Sequence, residues 1–342
     1  MATQSRHDTP NPRFPPLQQV ASGQVVRGAV WDLGSSSFQV LACKLGPSQT
    51  LLPVLKRRSL LNLGLEVGTT GVISPERIRA SLSAAKRLRR AIDSVDPEIV
   101  VALATAALRD AANGPEVVGR LEKVIGTTIR VLEGKQEARL CFMGQRAGTY
   151  VGDEPTLSID LGGGSFELVV GDRFDIYLAG SASLGPTRLK GELGTGQVLG
   201  REDRKEVRER VREALGTVGL DLAEYPNVAV RTVVSGGTAR ALARLAIAKT
   251  CRHVSGSDWV VNQVDLPVAQ VAELAEMLAR MDLDERKALP GMPARRAAVL
   301  PLGACILEAI AEELGVEHYV VSEWGLREGA LLDAFAGHGY AA

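Results

Sequence analysis

The stretch "DLGSSSFQVL", from Asp32 to Leu41, returns as "DLGGGSFELV", from Asp160 to Val169. Five of the first seven letters agree, and the copies begin 128 residues apart. An apolar, strand-like run leads into each copy ("VVRGAVW" and "TLSI") and an alternating run leaves it. Each therefore reads as a β-hairpin whose turn is built from glycine and serine.

Working outward, the order of elements after each hairpin repeats as well. After the first come the helix "SPERIRASLSAAKRLRRAID", the buried strand "EIVVALAT" and a helix beginning in "TAALRDAANG". Ser74 is placed to cap the first of these helices, Pro75 suits its first position, and Ile78, Leu82, Ala85, Leu88 and Ile92 make one face. After the second hairpin come the charged helix "REDRKEVRERVREAL", the strand "VAVRTVVSGG" and the helix "TARALARLAIA". Late helices near Val268 to Met281 and Arg295 to Leu314 precede a last strand, "EHYVVSEWG", and a closing helix, "LREGALLDAF". The pattern predicts a duplicated α/β chain. A tail over residues 1–26, with four prolines and little periodicity, reads as disordered. Domains are expected over 27–140 and 141–325, with the closing helix, about 326–342, able to pack back on the first.

Composition narrows the function. The chain has 342 residues, is 45% hydrophobic and carries no formal net charge, so no general basic field points to nucleic acid or a membrane surface. No apolar run is long enough to span a bilayer, and no signal-peptide layout opens the chain, so a cytoplasmic location is expected. Local basic runs stand at Lys56 to Arg58 and Lys86 to Arg90, and the second, on a predicted helix, reads as a solvated face. Cysteines 43, 141, 251 and 305 share no short spacing, and histidines 7, 253, 318 and 338 are scattered, so neither a zinc cluster nor a histidine-built metal site is expected.

The repeated phrase has a chemical meaning. A turn of Gly34, Ser35, Ser36 and Ser37, or of Gly162, Gly163, Gly164 and Ser165, exposes backbone N–H groups with little side chain in the way, which suits phosphate oxygens. The serine hydroxyls can add donors. Asp32 and Asp160, each ending a strand, can orient hydrated Mg²⁺. A tight turn without a ligand would look similar in one copy, but two copies at corresponding positions can clamp one anion from both sides. A third turn, "SGGTARAL", puts Gly236 and Gly237 before a helix, where an anion could also bind. No P-loop motif occurs, and "GELGTG" at Gly191 to Gly196 lacks a preceding buried strand.

From Arg27 to Leu332 the chain resembles the exopolyphosphatase and guanosine pentaphosphate phosphatase family, within the actin, sugar-kinase and heat-shock ATPase superfamily. The resemblance rests on ordered motifs: "WDLGSSSFQVLA", "LNLGLEVGTTGVIS", "ATAALRDAAN", "LEGKQEARLCFMG", "SIDLGGGSFEL", "SLGPTRL", "SGGTARALA" and "GLREGALLD". It implies two ribonuclease H-like, actin-like domains with a cleft between them, in the short form that lacks a C-terminal His-Asp-type helical domain. It further implies an Mg²⁺-dependent hydrolase of polyphosphate or guanosine pentaphosphate; a homodimer is the default assembly. By the same resemblance Glu137 positions or deprotonates the attacking water, Arg109 grips phosphate, and Asp160 is the carboxylate of the magnesium site with Ser165 and Glu167 beside it; Asp160, Glu167 and Asp32 are together the expected metal side. Three departures bear on activity: Ser36 where asparagine is typical, Phe166 where a small polar residue is common, and Ala298 where an acid is often found. They keep a second reading open, a weakly active or inactive nucleotide- or polyphosphate-binding sensor of the same fold. A kinase or ATPase of the superfamily ranks behind both.

Overall fold

Both copies of the phrase are hairpin turns, as the alternation of their flanks dictates. In the computed structural model the described residues are 26–46, 50–194, 198–219, 221–226, 228–250 and 259–338. The tail expected over residues 1–26 lies outside them except for Val26, which opens the first strand. His7, Gly196, Cys251 and His253 also lie outside them.

The first half runs β1 (Val26–Leu33), β2 (Ser37–Leu45), β3 (Leu51–Leu60), α1 (Leu63–Thr70), α2 (Pro75–Asp93), β4 (Ile99–Ala104), α3 (Ala106–Asp110), α4 (Gly114–Ile125), β5 (Ile129–Val131) and α5 (Gly134–Gly148). The second runs β6 (Thr156–Leu161), β7 (Phe166–Gly171), β8 (Ile176–Ala182), α6 (Pro186–Leu193), α7 (Arg201–Val218), β9 (Arg231–Gly236), α8 (Gly237–Thr250), β10 (Asp265–Pro267), α9 (Val268–Arg280), α10 (Leu283–Ala288), α11 (Leu300–Leu314), β11 (His318–Val321) and α12 (Leu326–Gly337).

The first sheet is ordered β3-β2-β1-β4-β5 and the second β10-β11-β9-β6-β7-β8. In each, a three-stranded meander is extended by parallel strands: β4 beside β1 and β9 beside β6. With β11 standing for β5 the orders coincide, and β10 is an added edge strand. The chain is therefore an α/β protein of two ribonuclease H-like modules, duplicated as the doubled phrase predicts and actin-like in architecture as the family resemblance implies.

Local chemistry explains the elements. Ser74 caps α2 by accepting the Arg77 N–H at 3.3 Å, and Ile78, Ala85, Leu88 and Ile92 are buried beneath it, with Leu82 partly so. Lys86, Arg87 and Arg90 are exposed, so that basic run is a solvated helix face. Phe38 and Phe166, the last letter of each seven-residue repeat, are both fully buried and anchor the two hairpins in their respective cores.

Helix α5 is shared between the halves. Its Leu140 joins the cluster on the first sheet, while Ala138 and Phe142 pack with Val169 and Val233 of the second. It runs unbroken through residues 140 and 141, the junction expected between domains. Helix α12 returns to cover the first sheet through Ala330, Leu331 and Phe335. It crosses α5 closely because Gly144 and Gly329 carry no Cβ: one at Gly144 would strike the Gly325 carbonyl, and one at Gly329 the Leu140 carbonyl.

Phe335 is fully buried against Gly28 of β1, so it fastens the closing helix to the first sheet. Phe335→Ala is expected to cost about 3–5 kcal/mol of unfolding free energy. Chemical denaturation followed by circular dichroism measures this; a loss under about 1 kcal/mol would show that α12 contributes little to the fold.

Candidate active site

The two turns close alike. The Gly34 N–H donates to the Ser37 carbonyl at 3.2 Å and the Gly162 N–H to the Ser165 carbonyl at 3.0 Å, leaving Ser35-Ser36 and Gly163-Gly164 as the tips. These tips meet across the interface between the halves. A Cβ at Gly163 would collide with the Ser36 side chain, and one at Gly164 with that of Ser35. Only glycine lets the second tip come so near.

Ser36 Oγ lies 2.6 Å from Thr187 Oγ1, and Ser35 Oγ accepts the Ala107 N–H at 3.1 Å. These hydroxyls thus tie the turns to α6 and α3, a task that local sequence does not disclose. The shared cleft beside the tips is lined by both turns, Asp32, Glu137, Asp160, Ser235 and the third glycine turn. There Gly236 has a left-handed φ of 100°, and a Cβ would run into the Leu161 carbonyl. Gly237 then opens α8.

Carboxylates form one side of the cleft. Glu137 and Glu167 are buried, and Asp160 is oriented by a chain of hydrogen bonds. Ser235 Oγ donates to Asp160 Oδ1, while Gln145 Nε2 donates to Ser235 Oγ at 2.6 Å and to the Ile159 carbonyl at 2.9 Å. Ser181 Oγ donates to Glu167 at 2.9 Å. Burial pushes the Glu137 carboxyl up to about 8; Arg109 opposes this, and Asp160 and Asp32 add to it. Burial, then Glu137 and Asp160, also raise Glu167 well above the usual carboxylate range. Asp32 rises to about 6 by burial, against the pull of Arg327. The sulfur of Cys141 and one carboxylate oxygen each of Asp160 and Glu167 lie within 4.8 Å of one another, close enough to hold one divalent cation.

Arg109 stands behind this floor. Its Nη1 donates to Glu137 at 3.2 Å and to the Leu132 carbonyl at 3.0 Å, and its Nε to Asp110 at 3.1 Å. Two nitrogens of the guanidinium expected to grip phosphate, Nε and Nη1, are thus engaged by protein groups, and Glu137 links Arg109 to the cleft. Asp110 in turn receives Arg188 of α6 at 2.5 Å, which links the two halves beside the site.

Cations line the cleft as well, and sequence reasoning missed them. Arg240, Arg296 and Arg327 line the cleft. The Arg296 guanidinium lies over Gly237, where a Cβ would meet it. Arg58 and Arg327 both donate to Gln39 Oε1 at 3.0 Å, and Gln39 Nε2 donates onward to Asp32 at 3.2 Å. Burial first, then the like charges of Arg240, Arg58 and Arg295, draw Arg296 down to about 9. Two of these arginines stand in motifs already singled out, Arg240 in "SGGTARALA" and Arg327 in "GLREGALLD", and Arg58 ends the first of the two basic runs. Cys141 and Gln145 were legible in principle, since Glu137, Cys141 and Gln145 follow at intervals of four on one face of α5.

The departures also find their places. Phe166 lies in the core, away from the cleft, and the Ala298 carbonyl accepts Lys190 Nζ at 3.0 Å.

Paired glycine turns, an acidic floor and an arginine wall between two actin-like modules define a phosphoryl-handling protein. The model of the Ppx/GppA phosphatase family matches residues 45–338, and the chain belongs to that family. Among solved structures it is similar to a Ppx/GppA family member from Aquifex aeolicus, with 25% identity, a TM-score of 0.75, and coverage of 93% of this chain and 100% of that one. It is also similar in fold to an exopolyphosphatase from Cytophaga hutchinsonii, with 24% identity, a TM-score of 0.82, and coverage of 91% and 98%. Among the described residues, no helix is long and apolar enough to cross a membrane.

The raised Glu137 carboxyl has a consequence for stability. Folded, it keeps its proton up to about 8; unfolded, it releases it near 4.5. Between those values the folded chain binds more protons, so this group's contribution is full below the lower value and is lost as pH rises to the upper one. In chelator, the melting temperature of Glu137→Gln relative to the parent should climb across that window. A pH-independent difference would contradict the assignment.

Proposed function

We propose that the chain is an Mg²⁺-dependent phosphoanhydride hydrolase, releasing the terminal phosphate of inorganic polyphosphate or the 5′ phosphate of guanosine pentaphosphate. The observation that supports this best is that buried carboxylates and three arginines share one cleft beside two touching phosphate-type turns. Hydrolysis of a terminal anhydride needs the three equatorial oxygens neutralised and a nucleophile held in line. Asp160 and Glu167 would hold the cation, with Asp32 facing the same space; their excess of buried negative charge fits it. Bound there, Mg²⁺ supplies charge neutralisation on the phosphoryl oxygens.

This chain's residues do the rest. Backbone amides of the turns bind the terminal phosphoryl group and fix its orientation. Glu137 in its ionised form accepts the proton of the attacking water, and its raised proton affinity makes that form a stronger base, increasingly populated as pH rises toward about 8. Arg109 positions Glu137 through the 3.2 Å contact. Arg240, Arg296 and Arg327 receive the remaining phosphates, with guanidinium forks matched to paired oxygens. The sensor reading loses one of its motives, because Phe166 packs in the core rather than in the cleft.

Glu137→Gln is expected to keep its fold and to lose about 10²–10⁴ in kcat for phosphate release with Mg²⁺. Activity near the parent level would remove Glu137 from the base role. Arg296→Ala is expected to raise KM for short polyphosphate and guanosine pentaphosphate roughly tenfold or more, the loss of a charged hydrogen bond. Steady-state kinetics with both substrates checks this, and an unchanged KM would show that the phosphate chain takes another path.

A further inference from the structure

Cys141 is a residue the proposed reaction does not use. It stands one helical turn after Glu137 on α5, is buried, and its thiol donates to Asp160 Oδ2 at 3.6 Å. Its sulfur and one carboxylate oxygen each from Asp160 and Glu167 lie within 4.8 Å of one another. The cysteine spacing in the sequence gives no hint of this, because the two carboxylates arrive from β6 and β7.

A magnesium site needs oxygen ligands only, whereas a thiolate selects softer cations. We propose that Cys141 makes this centre a mixed thiolate–carboxylate site that captures thiophilic divalent cations of the Zn²⁺ and Cd²⁺ class through a direct sulfur–metal bond. The inference rests on reading Asp160 and Glu167 as the metal side. On capture the S–H proton leaves to solvent, the sulfur–metal bond forms in its place, and no group changes oxidation state. Zn–S near 2.3 Å and Zn–O near 2.1 Å put tetrahedral ligands roughly 3.5 Å apart, so the three atoms need to close by about 1 Å. Asp160 lines the cleft and offers the way in. Its other oxygen is held by Ser235. Capture of such an ion excludes Mg²⁺ from the same carboxylates.

The test is a titration of the reduced full chain with Cd²⁺, followed by the ultraviolet thiolate-to-metal charge-transfer band, with Mg²⁺ affinity measured by calorimetry. The parent should develop the band as one ion binds. Cys141→Ser and Cys141→Ala should lose it and bind Cd²⁺ about tenfold or more weakly, with Mg²⁺ affinity unchanged within about twofold. Retention of the band and of Cd²⁺ affinity in these variants would overturn the inference. Should they not fold, X-ray absorption on Zn²⁺-loaded parent decides: one sulfur near 2.3 Å supports the bond, and a shell of nitrogen and oxygen alone refutes it. Asp160→Asn separates the two layers of argument. If it binds Mg²⁺ and Cd²⁺ as the parent does, the metal-side reading itself fails. If it loses both while Cys141→Ser loses neither, only the role of sulfur fails.

Discussion

The structure depends on the contact between two hairpin tips. Gly163 and Gly164 approach Ser35 and Ser36 so closely that a single added methyl group at either glycine would push the tips apart. That contact sets the width of the cleft, because the strands behind each tip are central in their sheets. Thr187 and Ala107 then pin the serine side, and the Arg188–Asp110 pair ties the halves together a short way off. The duplicated phrase therefore encodes more than two turns. It encodes two surfaces that fit each other and leave a gap at their shared edge.

Charge is arranged around that gap at a cost. Asp32, Glu137 and Glu167 are each held above their ordinary proton affinity mainly by burial, and Arg296 is held below its own. Both sides are under electrostatic strain of opposite sign, and Gln39 is the neutral link that joins Arg58 and Arg327 to Asp32. The proposed ligands, a divalent cation and a chain of phosphates, would relieve both at once. A site whose charges are fixed by the fold in this way has the preorganisation that electrostatic catalysis requires.

Much of the fold was legible because it is local. Alternating flanks around Gly-Ser turns gave both hairpins, and Ser74, Pro75 and the spacing of Ile78, Leu88 and Ile92 gave α2. The acidic floor was legible through motifs on a single strand or helix. The arginine wall was not, because its members come from β3, α8, α12 and the turn before α11 and meet only through the sheet order. Arg109 was legible as important but not as to its partner, since the 28 residues to Glu137 fold back through β5. Cys141 fell between the two cases: its helical spacing from Glu137 was visible, but the carboxylates it meets were not.

The most direct measurement is a crystal structure with Mg²⁺ and a non-hydrolysable imido analogue of tripolyphosphate. The account predicts one terminal phosphoryl group between Ser35–Ser36 and Gly163–Gly164, a metal ion on Asp160, and the rest of the chain against Arg240 and Arg296. A phosphoryl group bound away from the paired tips, or a metal ion that does not touch Asp160, would contradict it.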